Sequence, residues 1–192
     1  MVDFDAVPSE NAIRYLRAQL RTVPDFPKPG ILFKDITPLL ADPRAFHMTL
    51  DLLAHPHIGE HIDVVVGVES RGFIFGGALA ARLNASFVPV RKRGKLPAAT
   101  DRVSYALEYG EAELEMHQGS IRPGARVLVV DDLLATGGTA GAAAELAQKQ
   151  GAVVSGFAFV VELDFLGGRA RLAERAGKDV RVFSILHFSA GE

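Results

Sequence analysis

Residues 127–140 read VLVVDDLLATGGTA, and this stretch decides the fold class that we predict. Its first four residues are branched and apolar without alternation, which is typical of a strand covered on both faces of a sheet. Two acidic residues and an Ala-Thr-Gly-Gly-Thr turn lead into a helical pattern that ends at Gly151. A strand, a tight turn and a helix in succession favour a parallel α/β sheet.

The rest of the chain repeats this alternation. Continuous apolar runs predict further strands at 64–68, 87–90, 153–161 and 180–186. Helical spacing predicts helices at 10–21, 43–54, 73–83 and 139–150, with prolines at 24, 27 and 29 forming a rigid loop after the first. We therefore expect one α/β domain over 1–192, with a doubly wound, mainly parallel central sheet whose ligands collect at the carboxyl ends of its strands.

Composition excludes several classes of function. A formal net charge of -2 gives no field that would draw nucleic acid or an anionic membrane, and the absence of cysteine excludes thiolate metal sites and cysteine nucleophiles. The acidic start MVDFDAVPSE does not resemble a signal peptide, and no stretch approaches the length of a membrane span. We expect a cytoplasmic protein with no nucleic-acid or membrane partner.

The turn after the strand 127–130 has the residues of a phosphate site. Gly137 and Gly138 let backbone N–H groups converge on an anion, the flanking threonines add hydroxyl donors, and the helix N-terminus adds a favourable dipole. Asp131 and Asp132 would repel that phosphate but can accept hydrogen bonds from vicinal hydroxyls, or reach a hydrated Mg²⁺ ion. These residues predict a sugar-phosphate site; the alternative is an ordinary strand-helix turn that the aspartates cap. The chain has neither GxGxxG, the dinucleotide-binding motif, nor GxxxxGK[ST], the nucleoside-triphosphate-binding motif, which disfavours a dehydrogenase or a kinase.

Three other segments have both a functional and a plain interpretation. Glu69–Gly72 follows a buried strand and offers amides and a guanidinium to a second anion, or it simply caps a helix. The run RKRGK (91–95) could neutralise a polyanion or be a solvated face. The polar stretch at about 92–112 is long enough to be a mobile functional loop.

For two further groups of residues, the sequence alone favours a structural or surface role over a functional one. Ile31–Phe33 presents an apolar surface on the rigid proline loop, where core packing is the default. His55, His57 and His61 lie in HPHIGEH, where a proline and a glycine break the helix that a paired metal site needs, so we expect surface residues.

A strand ending in two acidic residues before ATGGT resembles the phosphoribosyl-pyrophosphate signature of the type I phosphoribosyltransferases. The similarity extends along nearly the whole chain and is strongest to the adenine-specific members. The segments that carry it are PDFPKPGILFKDITPLL (24–40), VGVESRGFIFGGALA (66–80), RKRGKLP (91–97), YALEYG (105–110) and VVELDFLGGR (160–169).

The resemblance implies an enzyme that transfers a phosphoribosyl group from 5-phosphoribosyl 1-pyrophosphate (PRPP) to adenine, giving AMP and pyrophosphate. It implies a homodimer, Mg²⁺ bound through substrate and water without direct protein ligands, a small N-terminal hood (1–40), a lid at about 92–112, and a cis bond between Glu69 and Ser70. The implied catalytic residue is Glu108, which by itself reads as a surface residue. The implied ribose-phosphate residues are Asp131, Asp132, Ala135, Thr136, Gly137, Gly138 and Thr139. The implied pyrophosphate residues are Glu69, Ser70, Arg71, Gly72, Arg91 and Lys95. The implied adenine residues are Leu32, Phe33, Lys34 and Leu163, although many relatives have arginine in place of Lys34.

Two rival functions stay open. A regulator that senses the sugar phosphate would need a basic DNA-binding segment and would not need the lid. A guanine or xanthine transferase would need a donor, often lysine, for the 6-oxo group of its base.

Overall fold

The computed structural model describes residues 9–106, 111–177 and 180–192. Its helices are α1 (Glu10–Ala18), α2 (Thr37–Ala41), α3 (Pro43–Ala54), α4 (Gly72–Arg82), α5 (Gly138–Lys149) and α6 (Gly168–Ala176). Its strands are β1 (Arg21–Pro24), β2 (Leu32–Asp35), β3 (Val64–Val68), β4 (Ser86–Lys92), β5 (Thr100–Ala106), β6 (Glu111–His117), β7 (Arg126–Leu134), β8 (Val153–Leu163) and β9 (Arg181–Phe188). No helix in these ranges is long and apolar enough to cross a membrane.

The central sheet confirms the predicted fold class. Its seven strands lie in the order β5-β6-β4-β3-β7-β8-β9. The five strands from β4 to β9 in that order pair in parallel, whereas β5 and β6 are antiparallel to their neighbours. The carboxyl ends of β3 and β7, which are adjacent in the sheet, therefore lie side by side and bring their following loops together.

The core lies on both faces of the sheet, as the continuous apolar runs predict. Val127 and Val129 of β7 pack into the cluster beneath α5 and α6. Leu128 and Val130 pack into the opposite cluster, with residues of α1 to α4. All four are fully buried, which explains why the strand has no polar face.

The predicted helix boundaries hold where a cap was identified. Asp42 is the N-cap of α3, and its carboxylate accepts a hydrogen bond of 2.6 Å from the Ala45 N–H, with Pro43 in the first helical position. α4 and α5 begin and end within one residue of the prediction. α1 is shorter than predicted, because the chain leaves the helix at Gln19 and enters β1.

Two predictions of irregular structure differ from the fold. The proline segment turns the chain, but β1 and β2 on either side of it form an antiparallel pair, so Leu32 and Phe33 lie on a strand. The stretch expected as a loop contains β5, whose Val103 and Tyr105 are buried while Arg102 and Ser104 are exposed. This short alternation was hidden among polar residues, and it marks a strand with one solvated face. The sequence interpretation also missed α6.

The histidine prediction is wrong for one residue. His61 is exposed, but His57 is 1% exposed and its Nδ1 lies 3.0 Å from Glu60 Oε2. Pro56 opens a short 3₁₀ turn at His55–His57, and this turn folds the His57 ring inward. Burial lowers the pKa of His57, so the ring is held neutral.

Candidate active site

A cleft of about 480 Å³ lies where β3 and β7 end. Its walls are the loop after β3 and the turn after β7, which the sequence predicted as two anion sites. Most of the predicted phosphate residues line it. They are Glu69, Ser70, Arg71, Asp131, Asp132, Ala135, Thr136, Gly137, Gly138 and Thr139. Two sites predicted separately are thus one continuous cleft.

The turn after β7 has the geometry that its glycines predict. Gly137 has a φ of 77°, in the left-handed region that residues with a Cβ rarely adopt, and it directly precedes α5. A Cβ at Gly137 would also lie 2.7 Å from the Gly168 carbonyl oxygen. The turn therefore exposes its amides at the helix N-terminus, where an anion is stabilised.

The two anion loops are in direct contact. Gly72 opens α4, and a Cβ there would lie 2.8 Å from Asp131 Oδ1 and 2.9 Å from the Val130 carbonyl oxygen. Only a glycine fits between the start of α4 and the end of β7. The peptide bond between Glu69 and Ser70 is cis, as the resemblance implied.

Two neighbouring carboxyl groups set the electrostatics of the cleft. Burial, and then the charge of Asp132, raise the pKa of Asp131 well above its ordinary value. Burial also raises the pKa of Asp132, but its Oδ2 lies 2.9 Å from Arg71 Nε, which acts in the opposite direction. Burial therefore makes it costly for both carboxyl groups to be charged at once, and hydroxyl donors or a cation would offset that cost.

Arg71 links this acidic end to the hood. Its guanidinium pairs with Asp132 and lies 5.6 Å from the centroid of the Phe33 ring on β2. Phe33 in turn meets Phe26 edge to face at 5.1 Å. The predicted base-binding aromatic residue therefore lies next to the loop that bears the predicted pyrophosphate residues.

Lys34 faces away from Phe33 and is 8% exposed. Its Nζ donates a 3.0 Å hydrogen bond to Thr22 Oγ1 and lies 4.5 Å from the centroid of the Phe188 ring. Leu163 is the partner of Phe188 in the β8–β9 ladder. Phe188 thus joins two parts of the predicted adenine set, and the Lys34 ammonium group is occupied within the fold.

The predicted basic residues Arg91 and Lys95 lie beside the cleft rather than in its wall. Arg91 Nε is 3.2 Å from Glu69 Oε2, and its Nη1 donates to the Lys95 carbonyl oxygen at 2.8 Å. Although burial alone would raise the pKa of Glu69, the Arg91 guanidinium beside it holds that pKa below its usual range. Arg91 therefore ties the basic turn to the Glu69 loop.

Three neighbouring residues were missed by the sequence interpretation. Lys92 and Tyr105 line the cleft. Glu115 on β6 is 1% exposed and accepts hydrogen bonds of 2.9 Å from the N–H groups of Lys95 and Leu96, which fixes the basic turn. Lys92 lies within RKRGK and Tyr105 within YALEYG, whereas Glu115 has no signal in the sequence.

Two sets of residues of functional interest lie outside the cleft as the structure describes it. Glu108, the predicted catalytic residue, lies outside the described residues. Within the described ranges, two carboxylates and an imidazole lie close enough together to hold a metal ion: Glu162, Asp164 and His187. This cluster lies away from the cleft, and Arg169 already holds the Glu162 carboxylate at 2.6 Å.

Known proteins are similar to this chain in sequence and in fold. The family described as phosphoribosyl transferase domain matches residues 45–191. An adenine phosphoribosyltransferase of Sorangium cellulosum is 82% identical over 192 residues, covering 100% of this chain and 96% of the relative. The crystal structure of adenine phosphoribosyltransferase from Rhodothermus marinus has a TM-score of 0.87 at 49% identity, covering 94% and 100% of the two chains.

The enzyme of that name from Saccharomyces cerevisiae was crystallised with an imino-altritol bisphosphate and adenine. It has a TM-score of 0.85 at 40% identity and covers 93% of this chain and 100% of its own. With the shared sheet and the cleft between its two anion loops, these matches show that this chain belongs to the phosphoribosyltransferase family.

Proposed function

We propose that this protein transfers the 5-phosphoribosyl group of PRPP to adenine, giving AMP and pyrophosphate, a purine salvage reaction. The observation that carries the proposal is the single cleft in which the Asp131–Thr139 segment faces the Glu69–Arg71 loop. One wall suits a ribose phosphate and the other suits the leaving diphosphate, so both ends of PRPP have complementary chemistry there.

The ribose-phosphate end is assigned to the turn after β7. The backbone amides of Ala135–Thr139 and the threonine hydroxyls bind the 5-phosphate at the start of α5. The carboxyl groups of Asp131 and Asp132 accept hydrogen bonds from the ribose hydroxyls. The raised pKa values of this buried pair support the assignment, because hydroxyl donors offset the cost of burying the carboxylates, whose ion-pair partner among the described residues is Arg71.

The leaving diphosphate is assigned to Glu69–Gly72 together with Arg91 and Lys95, and Lys92 joins this set because it lines the cleft. As the bond to the diphosphate breaks, the anomeric carbon gains positive character and the leaving oxygens gain negative charge. Cationic side chains and amides already in place stabilise that charge, and the cleft holds the reactants in line.

Mg²⁺ fits this cleft because Asp131 and Asp132 are hard oxygen donors, and a cation would offset the cost of burying their charges, which raises both pKa values. These residues would hold the ion through water, with substrate oxygens as its direct ligands. The ion would supply charge neutralisation at the diphosphate.

The purine is assigned to the hood. Phe33 stacks on adenine, Leu163 covers its other side, and backbone groups of Leu32 and Lys34 read its amino edge. The occupied Lys34 ammonium supports this backbone assignment and disfavours a guanine or xanthine transferase, which needs a free donor for a 6-oxo group.

The lid at about 92–112 and its Glu108 complete the proposed site. Tyr105, near the end of β5 and three residues before Glu108 in the chain, lines the cleft. Glu108 would accept the proton that the purine loses, and lid closure would exclude water. We further propose a single domain acting as a cytoplasmic homodimer. Light scattering on the purified protein tests the dimer.

The deciding experiment is a purine panel with PRPP and Mg²⁺, followed by pyrophosphate release. Adenine should be the active base, with hypoxanthine, guanine and xanthine at least tenfold less efficient, because one misplaced donor in a buried polar contact costs about that much or more. An enzyme inert with adenine but active with a 6-oxo purine would reverse the assignment of the hood.

A further inference from the structure

The segment between β8 and α6 touches both halves of the proposed site. Leu163 ends β8 on the base side, and residues 164–167 turn the chain through a 3₁₀ turn and a left-handed Gly167. Gly168 then begins α6 against the phosphate turn. A Cβ at Gly168 would lie 2.2 Å from the Ala135 carbonyl oxygen and 2.8 Å from Leu134 Cδ1. The start of α6 therefore packs directly against the phosphate turn.

An ion pair between the exposed Arg169 and the buried Glu162 closes this segment into a loop. Arg169 Nε and Nη2 donate to the two oxygens of Glu162 at 3.1 and 2.6 Å, and Nη1 donates to the Val182 carbonyl oxygen at 2.5 Å. The Ser184 hydroxyl donates to Glu162 Oε2 at 2.6 Å. Glu162 is 3% exposed, and these donors satisfy both of its buried carboxylate oxygens.

The position of the pair matters because Glu162 directly precedes Leu163 and Arg169 directly follows Gly168. The two-pronged contact fixes the orientation of both ends of the turn, which a single point charge would not do. Neither residue lines the cleft beside Asp131 and Asp132, so we expect them to affect the reaction through their chain neighbours Leu163 and Gly168.

We propose that Glu162 and Arg169 are positioning residues that hold the base cover Leu163 and the phosphate turn in one rigid arrangement. The inference rests on the proposed function. It predicts that loosening the ion pair weakens the binding of both adenine and PRPP, because one segment supports both subsites.

The test is Arg169→Lys, which keeps the charge but loses the two-pronged contact. Its control is Arg171→Lys, an exposed residue on the same helix. We expect the KM values for adenine and PRPP each to rise roughly tenfold or more in the first variant, since small misplacements of a site have effects of that size. The control should keep wild-type constants. Ser184→Ala, which removes one donor to Glu162, should show a smaller rise in both if Arg169→Lys does not fold.

A second measurement separates positioning from general stability. In a Leu163→Ala background, Arg169→Lys should raise the KM for adenine by much less than in the wild type, while its effect on PRPP persists. A lower melting temperature with both KM values unchanged, or equal effects on adenine in the two backgrounds, overturns the inference. Either result leaves the proposed function intact, which fails only if the wild-type protein does not use adenine and PRPP.

Discussion

Replacing Gly72 by alanine should separate the two anion loops and slow the reaction. The new Cβ would lie 2.8 Å from Asp131 Oδ1 and 2.9 Å from the Val130 carbonyl oxygen, whereas ordinary contact begins at 3.4 Å. The start of α4 or the end of β7 must therefore shift by about half an ångström. Overpacking of this kind costs about 1–3 kcal/mol of stability, and a displacement of that order in an active site costs roughly tenfold to a hundredfold in rate.

The matched control for Gly72→Ala is Gly77→Ala on the same helix, where no atom lies within 4 Å of the added Cβ. Alanine in a helix interior is about 0.5–1 kcal/mol more favourable than glycine, so this variant should gain stability and keep its activity. Thermal unfolding and the rate of pyrophosphate release distinguish the two. If Gly72→Ala is as stable and active as Gly77→Ala, the contact between the loops does not position the site.

Three further predictions concern single side chains. Arg91→Ala should raise the KM for PRPP about tenfold more than the KM for adenine, as expected for a lost charge-assisted contact. The control Arg93→Ala should change neither KM, because the Arg93 side chain is 68% exposed. Equal effects of Arg91→Ala on both substrates would contradict the diphosphate assignment. Glu108→Gln should lower kcat by roughly a hundredfold, the usual contribution of a proton-transfer group, and undiminished turnover would remove it from that role. Because burial lowers the pKa of His57 from 6.5, the unfolded chain binds its proton first as pH falls, so the stability that the neutral ring provides is complete above pH 6.5 and is lost below it. The melting temperature of the wild type should therefore fall more between about pH 7 and about pH 5 than that of His57→Gln, and parallel curves would refute this.

The sequence by itself determined the fold class and the phosphate turn. The run at 127–130 has no polar face, which only a strand between two layers tolerates, and Gly137 followed by a helix implies the turn. These are local properties, since hydrophobic periodicity and backbone freedom act between near neighbours in the chain. Strand β5 escaped the same reasoning, because its short alternation of Val103 and Tyr105 is weak among polar residues.

Only the tertiary structure decided which distant residues meet. It joined Gly72 to Asp131, placed Arg71 between Asp132 and Phe33, and occupied Lys34 with Thr22 and Phe188. It also buried His57, which the sequence had assigned to the surface. Such contacts depend on strand order and register, which bring together residues as distant in the chain as Lys34 and Phe188. Burial and pairing then decide which charges are free to act, and no property of a single segment encodes that result.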